Sequence, residues 1–125
     1  MIRNYSDMPI YKQSLGLAIR IHEMTLKLSK LETYEEGSQI RRSAKSIPAN
    51  LAEGYGRRTY KNEYIRYLIF ALSSCDETIV HLEILYKTRS IGEDLYSSLI
   101  KEYNHLGRDI NNYLKHVVRH HNNFN

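Results

Sequence analysis

The amino-acid sequence predicts an all-α protein, an up-down-up-down bundle of four helices that forms a single domain over residues 1–125. Two observations support this fold class. The 125 residues include only two prolines and six glycines, and a scarcity of helix breakers favours long helices. Apolar residues also recur at helical spacing in four segments joined by short loops, which is the pattern of a four-helix bundle.

The first predicted helix, residues 10–31, is apolar on two sides. One side holds Leu15, Ile19, His22 and Leu26. The other holds Leu17, Ile21, Met24, Leu28 and Leu31. A helix that is apolar on two sides is buried on two sides, and in a small bundle we expect the second side to meet another subunit.

The second predicted helix, residues 38–55, follows a break at which Gly37 is expected to act as a pivot. Its apolar face holds Ile40, Ala44, Ile47 and Leu51. Pro48 predicts a kink, because proline lacks a backbone N–H and its ring clashes with the preceding turn. Gly54 and Gly56 are expected to end the helix.

The third predicted helix, residues 60–87, has Thr59 as its expected cap. Its main apolar face holds Tyr64, Leu68, Ala71, Cys75, Ile79, Leu82 and Tyr86. A second apolar stripe holds Ile65, Ile69 and Leu72. We therefore expect this helix also to be buried on more than one side.

The fourth predicted helix, residues 91–118, opens with a predicted capping box from Ser90 to Glu93. Its single apolar face holds Leu95, Leu99, Leu106, Ile110, Tyr113 and Val117. The opposite face is polar, so this helix is expected to face solvent on one side. Residues 119–125 lack apolar periodicity and are expected to fray.

The composition restricts the classes of function. One cysteine, Cys75, excludes an internal disulfide and a cysteine-cluster metal site. The N-terminal residues have no apolar segment typical of a signal peptide, and no apolar run is long enough to span a bilayer. We therefore expect a cytoplasmic protein that does not associate with a membrane.

Positive charge is concentrated in residues 40–61, which have a balance of +5 whereas the whole chain carries +4. The cations of this segment are Arg41, Arg42, Lys45, Arg57, Arg58 and Lys61. A local basic excess indicates an anionic partner, and guanidinium groups suit phosphate because they donate two parallel hydrogen bonds. These six residues are candidate nucleic-acid contacts, without sequence specificity because no known binding module is present. The alternative is a solvated face with ion pairs to Glu53 or Glu63.

A polar stripe beside the apolar face of the second helix is interpreted as structural. It contains Ser43, Ser46, Asn50 and Glu53, and Pro48 and Gly54 lie in the same segment. Polar groups in a buried position fix helix register or subunit geometry when each has a partner. The alternative interpretation is a ligand site.

No catalytic or metal-binding motif is complete. A di-iron bundle needs two Glu-x-x-His motifs, and only Glu102 with His105 matches. His116 and His120 have the spacing of a metal-binding pair, but lie near the chain end without a carboxylate or thiolate. Cys75 lies within an apolar face and is expected to behave as a small hydrophobic residue. We expect no enzymatic activity, no cofactor and no metal.

Three segments resemble one protein family. Residues 38–58 read SQIRRSAKSIPANLAEGYGRR, and they resemble the signature of the bacterial 23S ribosomal RNA intervening-sequence proteins. Residues 8–28 and 62–85 resemble the first and third helices of that family. The resemblance implies a four-helix bundle, assembly into ring-like pentamers and no catalytic activity. It also implies nucleic-acid binding, because a relative that serves as accessory protein to the reverse transcriptase of diversity-generating retroelements binds nucleic acid.

Two functional hypotheses follow. In the first, the protein is a homo-oligomeric ring that binds structured RNA or DNA and acts alone or beside a nucleic-acid enzyme. In the second, it is a protein-interaction scaffold whose basic residues serve solubility or an acidic protein partner.

Overall fold

The computed structural model describes residues 4–120, which are all-α and contain no strand. Four long helices dominate: α1 (Pro9–Thr25), α3 (Glu36–Gly56), α4 (Lys61–Lys87) and α5 (Glu93–His120). Two short elements complete the described part, a 3-10 helix at Tyr5–Asp7 and the helix α2 (Lys30–Tyr34). The predicted all-α class with four main helices is confirmed.

The long helices enclose one apolar core. The principal contacts join α1 to α3, α3 to α4, α4 to α5 and α5 to α1. Helices α1 and α4 therefore lie on one diagonal of the bundle, and α3 and α5 lie on the other. The largest fully buried side chains include Ile21, Ile40, Ile47, Leu51, Leu68, Leu82, Leu85, Leu99, Tyr103, Leu106 and Ile110.

Helices α3 and α4 contact each other at three levels. At one end, His81 Nδ1 contacts the carboxylate of Glu36. In the middle, the buried Thr78 hydroxyl donates to Ser43 Oγ at 2.9 Å. At the other end, Gly54 lies so close to α4 that an added Cβ would be 2.8 Å from the Cβ of Tyr67. Polar bonds and a close backbone approach thus fix the register of this pair.

The first predicted helix, residues 10–31, is divided in the structure. Helix α1 ends at Thr25, and α2 begins at Lys30. The Ser29 hydroxyl caps α2 by accepting a hydrogen bond from the Glu32 N–H at 3.2 Å. Apolar residues continue at helical spacing across the break, so periodicity did not reveal it.

Two glycines have roles other than the predicted ones. Gly37 lies inside the first turn of α3 and is buried, and an added Cβ would be 2.7 Å from the Glu32 carbonyl oxygen. It permits close contact with α2 rather than acting as a pivot. Gly54 also lies within α3, which ends at Gly56, so its role is the contact with α4 and not helix termination.

Two predicted caps are wrong. Tyr60, not Thr59, is the residue before α4, and it makes no side-chain cap bond. The Ser90 hydroxyl donates to Glu32 Oε2 at 3.0 Å, so it ties the α4–α5 connection to α2 and does not cap α5. Of the predicted frayed tail, residues 119 and 120 are helical, and residues 121–125 lie outside the described residues.

We predict that Gly54→Ala lowers the free energy of unfolding by about 1–3 kcal/mol, because the new methyl group overpacks the α3–α4 contact. Gly16→Ala is the matched control, since nothing lies within 4 Å of its added Cβ in the middle of α1. That variant should be more stable than wild type by about 0.5–1 kcal/mol. Urea unfolding of both variants tests this, and a Gly54→Ala protein as stable as wild type would contradict the close approach.

Candidate nucleic-acid interface

The six candidate cations do not form one patch. Arg41, Arg42 and Lys45 lie in the first half of α3, whereas Arg57, Arg58 and Lys61 lie where α3 passes into α4. At a rise of 1.5 Å per residue, Arg42 and Arg57 are separated by about 22 Å along the axis of α3. The basic segment of the sequence therefore supplies two separate groups of positive charge.

The Arg41 side chain links the end of α1 to α2. Its Nη1 donates to Thr25 Oγ1 at 2.8 Å, and its Nη2 donates to the Thr33 carbonyl oxygen at 3.0 Å. The side chain is half-buried between the end of α1 and α2. Because the guanidinium bonds to residues on both sides of the break between these two helices, some of its hydrogen-bond donors are already used inside the protein.

Arg42 and Lys45 are exposed on the outer side of α3. Their charged groups make no hydrogen bond or ion pair within residues 4–120. The half-buried Lys61 likewise has no such partner among the described residues. These three cations can reach an external anion without breaking an internal contact.

Arg57 and Arg58 each lie over an aromatic ring. The Arg57 guanidinium carbon is 4.7 Å from the centre of the Tyr67 ring, and Nη1 is 3.6 Å from Glu53 Oε2. The Arg58 carbon is 4.1 Å from the centre of the Tyr55 ring, and Nη1 donates to the Tyr55 carbonyl oxygen at 2.9 Å. Exposed ion pairs contribute only about 0–1 kcal/mol, so a phosphate can replace Glu53 at Arg57.

Arg66 is a basic residue that the sequence analysis missed. It lies 5.2 Å from the centre of the Phe70 ring and 5.8 Å from that of Tyr67, and its Nη1 is 3.1 Å from Glu63 Oε2. Counting charge only over residues 40–61 left it out. The helical spacing of Glu63, Arg66 and Phe70 was the available signal, because residues three or four apart meet on a helix.

The predicted polar stripe is distributed over different environments. Ser43 is buried and donates to the Ile40 carbonyl oxygen at 3.2 Å while accepting from Thr78. Ser46 is half-buried, with its hydroxyl donating to the Arg42 carbonyl oxygen at 2.8 Å.

The remaining positions of this segment differ in burial. The half-buried Asn50 donates from Nδ2 to the Ser46 carbonyl oxygen at 2.9 Å, and Glu53 is exposed beside Arg57. Pro48 is buried inside α3, which continues through it. Within one chain, Ser43 is thus the stripe residue that contacts a neighbouring helix, through its bond to Thr78.

Within residues 4–120, the other titratable residues form no cluster suited to a metal. Among the described residues, no group of three or more His, Cys, Asp or Glu side chains could hold an ion. Glu102 pairs with Arg20, and His105 Nε2 is 3.2 Å from Asp109 Oδ2. The His116 and His120 rings lie with centres 4.9 Å apart.

Cys75 is fully buried. Burial is the main cause that raises the pKa of its thiol to about 12, and the nearby Asp76 charge adds to the effect. Its Sγ lies 3.4 Å from the Tyr103 carbonyl oxygen and donates to it. A thiol in this state is not a nucleophile at neutral pH.

Across residues 4–120, no helix combines the length and the apolar character needed to cross a bilayer.

These elements define a helical-bundle protein with a basic and aromatic surface at the junction of α3 and α4. Residues 6–112 match the family model of the 23S rRNA-intervening sequence protein, so the chain belongs to this family. The resemblance predicted from the sequence is confirmed.

A solved structure supports this assignment. It is the crystal structure of a protein with unknown function from the S23 ribosomal protein family of Bacteroides thetaiotaomicron. The two chains are 26% identical and superpose with a TM-score of 0.77, over 85% of this chain and 95% of the other. No curated protein matches the sequence.

We predict that the neighbouring residues Arg41 and Arg42 differ in their effect on stability. Arg41→Gln should lower the free energy of unfolding by about 1–3 kcal/mol, because it removes two charge-assisted hydrogen bonds. Arg42→Gln is the matched control and should change it by less than about 0.5 kcal/mol, as is usual for a surface site. Thermal or urea unfolding measures both, and equal stability of the two variants would contradict a structural role for Arg41.

Proposed function

We propose that this protein is a non-catalytic homo-oligomeric ring that binds structured RNA or DNA electrostatically through the basic residues of α3 and its junction with α4. One observation carries the proposal: Arg42, Lys45 and Lys61 present charge that no described residue neutralises. They belong to a segment with a balance of +5 in a chain of net charge +4. Such a local excess attracts a polyanion.

The contacts between helices support the up-down-up-down topology that the proposal assumes. Three of them join the beginning of one helix to the end of the helix beside it. These are Arg41 with Thr25, Glu36 with His81, and Tyr64 with Tyr113. Contacts of this kind form when consecutive long helices run in opposite directions, as in a bundle with short connections.

Two apolar stripes on the outside of the bundle support assembly into a ring. The α1 stripe consists of Leu15, Ile19 and Leu26, and the α4 stripe consists of Ile69, Val80 and Ile84. Ile19 is 51% exposed and Val80 is 52% exposed, although both are large aliphatic residues. Because α1 and α4 lie on one diagonal, the two stripes face different sides of the bundle. A head-to-tail contact between the α1 stripe of one subunit and the α4 stripe of the next would bury both and close a ring.

We predict that Ile19→Asp and Val80→Asp each prevent ring assembly, because each places a charge in one side of the same apolar contact. Each variant keeps the other stripe intact. Mixing the two variants should therefore give a dimer through their unaltered stripes, but no ring. Light scattering of each variant and of the mixture provides the measurement.

The outcome separates the modes of assembly. A wild-type protein that scatters as a monomer at micromolar concentration would contradict the ring. A mixture that remains monomeric would contradict the head-to-tail pairing of these two stripes. The family resemblance favours five subunits, and the wild-type mass measures that number.

The proposed binding depends on the number of subunits. One subunit offers few phosphate contacts. Each contact releases condensed counterions, and the affinity gained from this release decreases as salt is added. A ring repeats the same cations around one axis, so a long RNA or DNA can engage several subunits at once. The proposed contacts belong to no known module that reads base sequence, so binding should tolerate any RNA or DNA sequence.

We predict that Arg42→Gln, Lys45→Gln, Arg57→Gln and Lys61→Gln combined weaken binding to all RNA and DNA sequences alike. The slope of log affinity against log salt should become shallower by about 0.7 to 0.9 for each lost contact. Arg41 and Arg58 are left intact because their half-buried side chains bond within the fold, whereas Arg57 is exposed. Fluorescence anisotropy at several salt concentrations measures the slope.

The matched control is the quadruple variant Lys27→Gln, Lys87→Gln, Lys101→Gln and Lys115→Gln. It removes the same charge from exposed lysines away from the α3–α4 junction, in the turn after α1, at the end of α4 and on α5. If this control weakens binding as much as the first quadruple variant, the net charge of the protein is responsible. The basic residues of α3 and its junction with α4 would then have no special role. If the wild-type ring binds neither RNA nor DNA at low salt, the protein-interaction scaffold is the better interpretation.

A further inference from the structure

We propose that the α3–α4 junction binds unpaired bases, so that this part of the protein recognises single-stranded nucleic acid. The surface consists of Tyr60, Tyr67, Phe70, Arg57 and Arg66, and we refer to it as the aromatic–arginine surface. This inference rests on the proposed nucleic-acid binding and adds to it the class of strand that the junction prefers.

The aromatic residues of this surface lie on one side of the first turns of α4. Tyr60 directly precedes the helix, and Tyr67 and Phe70 follow at seven and ten residues, which is helical spacing. Tyr60 is 69% exposed and Phe70 is 39% exposed. The half-buried Tyr67 meets Phe70 at an edge, with ring centres 5.5 Å apart at an interplanar angle of 80°. Two exposed rings, Tyr60 and Phe70, thus lie at the beginning of α4 together with the half-buried Tyr67.

Two arginines lie over rings of this surface. Arg57 lies 4.7 Å from the centre of Tyr67, and Arg66 lies 5.2 Å from that of Phe70. A planar guanidinium on an aromatic ring offers a second flat surface on which a base can stack. The combination of aromatic rings with cations is the usual means by which proteins bind single strands without reading their sequence.

The cations of this surface can exchange their present partners for phosphate. Arg57 is 3.6 Å from a Glu53 carboxylate oxygen, and Arg66 is 3.1 Å from one of Glu63. All four side chains are at least 43% exposed, so solvent screens both ion pairs. A phosphate can accept two parallel hydrogen bonds from an arginine. Such a paired contact is stronger than an exposed carboxylate contact of this kind.

The exposed rings are what favours a single strand over a duplex. In a duplex the faces of the bases are stacked on one another, and a protein surface reaches mainly phosphates, sugars and base edges. Cations alone would be enough to bind a duplex, and the Tyr60 and Phe70 rings would make no stacking contact with it. An unpaired strand can place its bases on these rings and its phosphates on the arginines.

The test uses the assembled full-length protein and a labelled RNA strand of about 15 nucleotides, alone or annealed to its complement. The variant Tyr60→Leu with Phe70→Leu removes the two exposed rings but keeps every charge. Tyr34→Leu is the matched control, because Tyr34 is 72% exposed on α2 and no arginine lies over its ring within the described residues.

We expect wild-type protein to bind the single strand more tightly than the duplex. The double variant should bind the single strand roughly 5-fold or more weakly for each ring lost, since base stacking on one ring contributes about that much. Its affinity for the duplex should be unchanged, and Tyr34→Leu should bind both probes like wild type. Light scattering confirms that the variants assemble.

Three results would overturn the inference. One is an unchanged single-strand affinity in the double variant, which leaves electrostatic binding intact and refutes only the stacking. Another is an equal loss for single strand and duplex. The third is dissociation of the double variant into monomers, which would make Tyr60 and Phe70 part of the contact between two copies of the chain. Failure of wild type to bind either probe refutes the proposed function itself.

Discussion

The close contact between α3 and α4 is the constraint on which the rest of this structure depends. Gly54 allows the two backbones to approach, and the bond between Thr78 and Ser43 fixes their register inside the core. Because of that register, the end of α3 lies beside the first turns of α4, where Arg57 reaches the Tyr67 ring. The basic and aromatic surface is therefore a consequence of core packing, and a shift of one helical turn, about 5.4 Å, would separate its parts.

The exposed residues on the two diagonals of the bundle differ in chemical character. Helices α1 and α4 carry exposed aliphatic residues such as Ile19 and Val80, which are costly to leave in water. Helix α3 carries its cations Arg42 and Lys45 on the outside, where burial in a subunit contact would leave them desolvated and unpaired. The proposed assembly through α1 and α4 would leave the outer side of α3 in solvent. The arrangement thus permits a ring and an anion-binding surface to coexist in 125 residues.

Apolar periodicity predicted the four long helices and most of their inner faces, because core burial is what creates that period. On the fourth helix it included Leu95, which is exposed, and omitted Tyr103, which is fully buried. It failed where tertiary contacts decide the local structure. The break after Thr25 depends on the Ser29 cap and on the hydrogen bonds of Arg41, a residue distant in sequence. The six candidate cations were evident from composition, but their environments were not. Arg41 is engaged because α2 brings the Thr33 carbonyl to it, and α2 itself was not predicted.

The engagement of Arg41 and Arg58 within the fold also changes how affinity must arise. Fewer cations remain for phosphate than the sequence suggests, so in the proposed complex the electrostatic contribution of one subunit would be small and would fall with salt. Two sources can compensate. Repetition of the surface around a ring multiplies weak contacts. The proposed stacking of bases on Phe70 and Tyr60 would add a contribution that does not depend on counterion release, so it would persist when salt has screened the charges. Binding that survives at high salt would therefore come from the aromatic residues, and binding that disappears would come from the cations of α3.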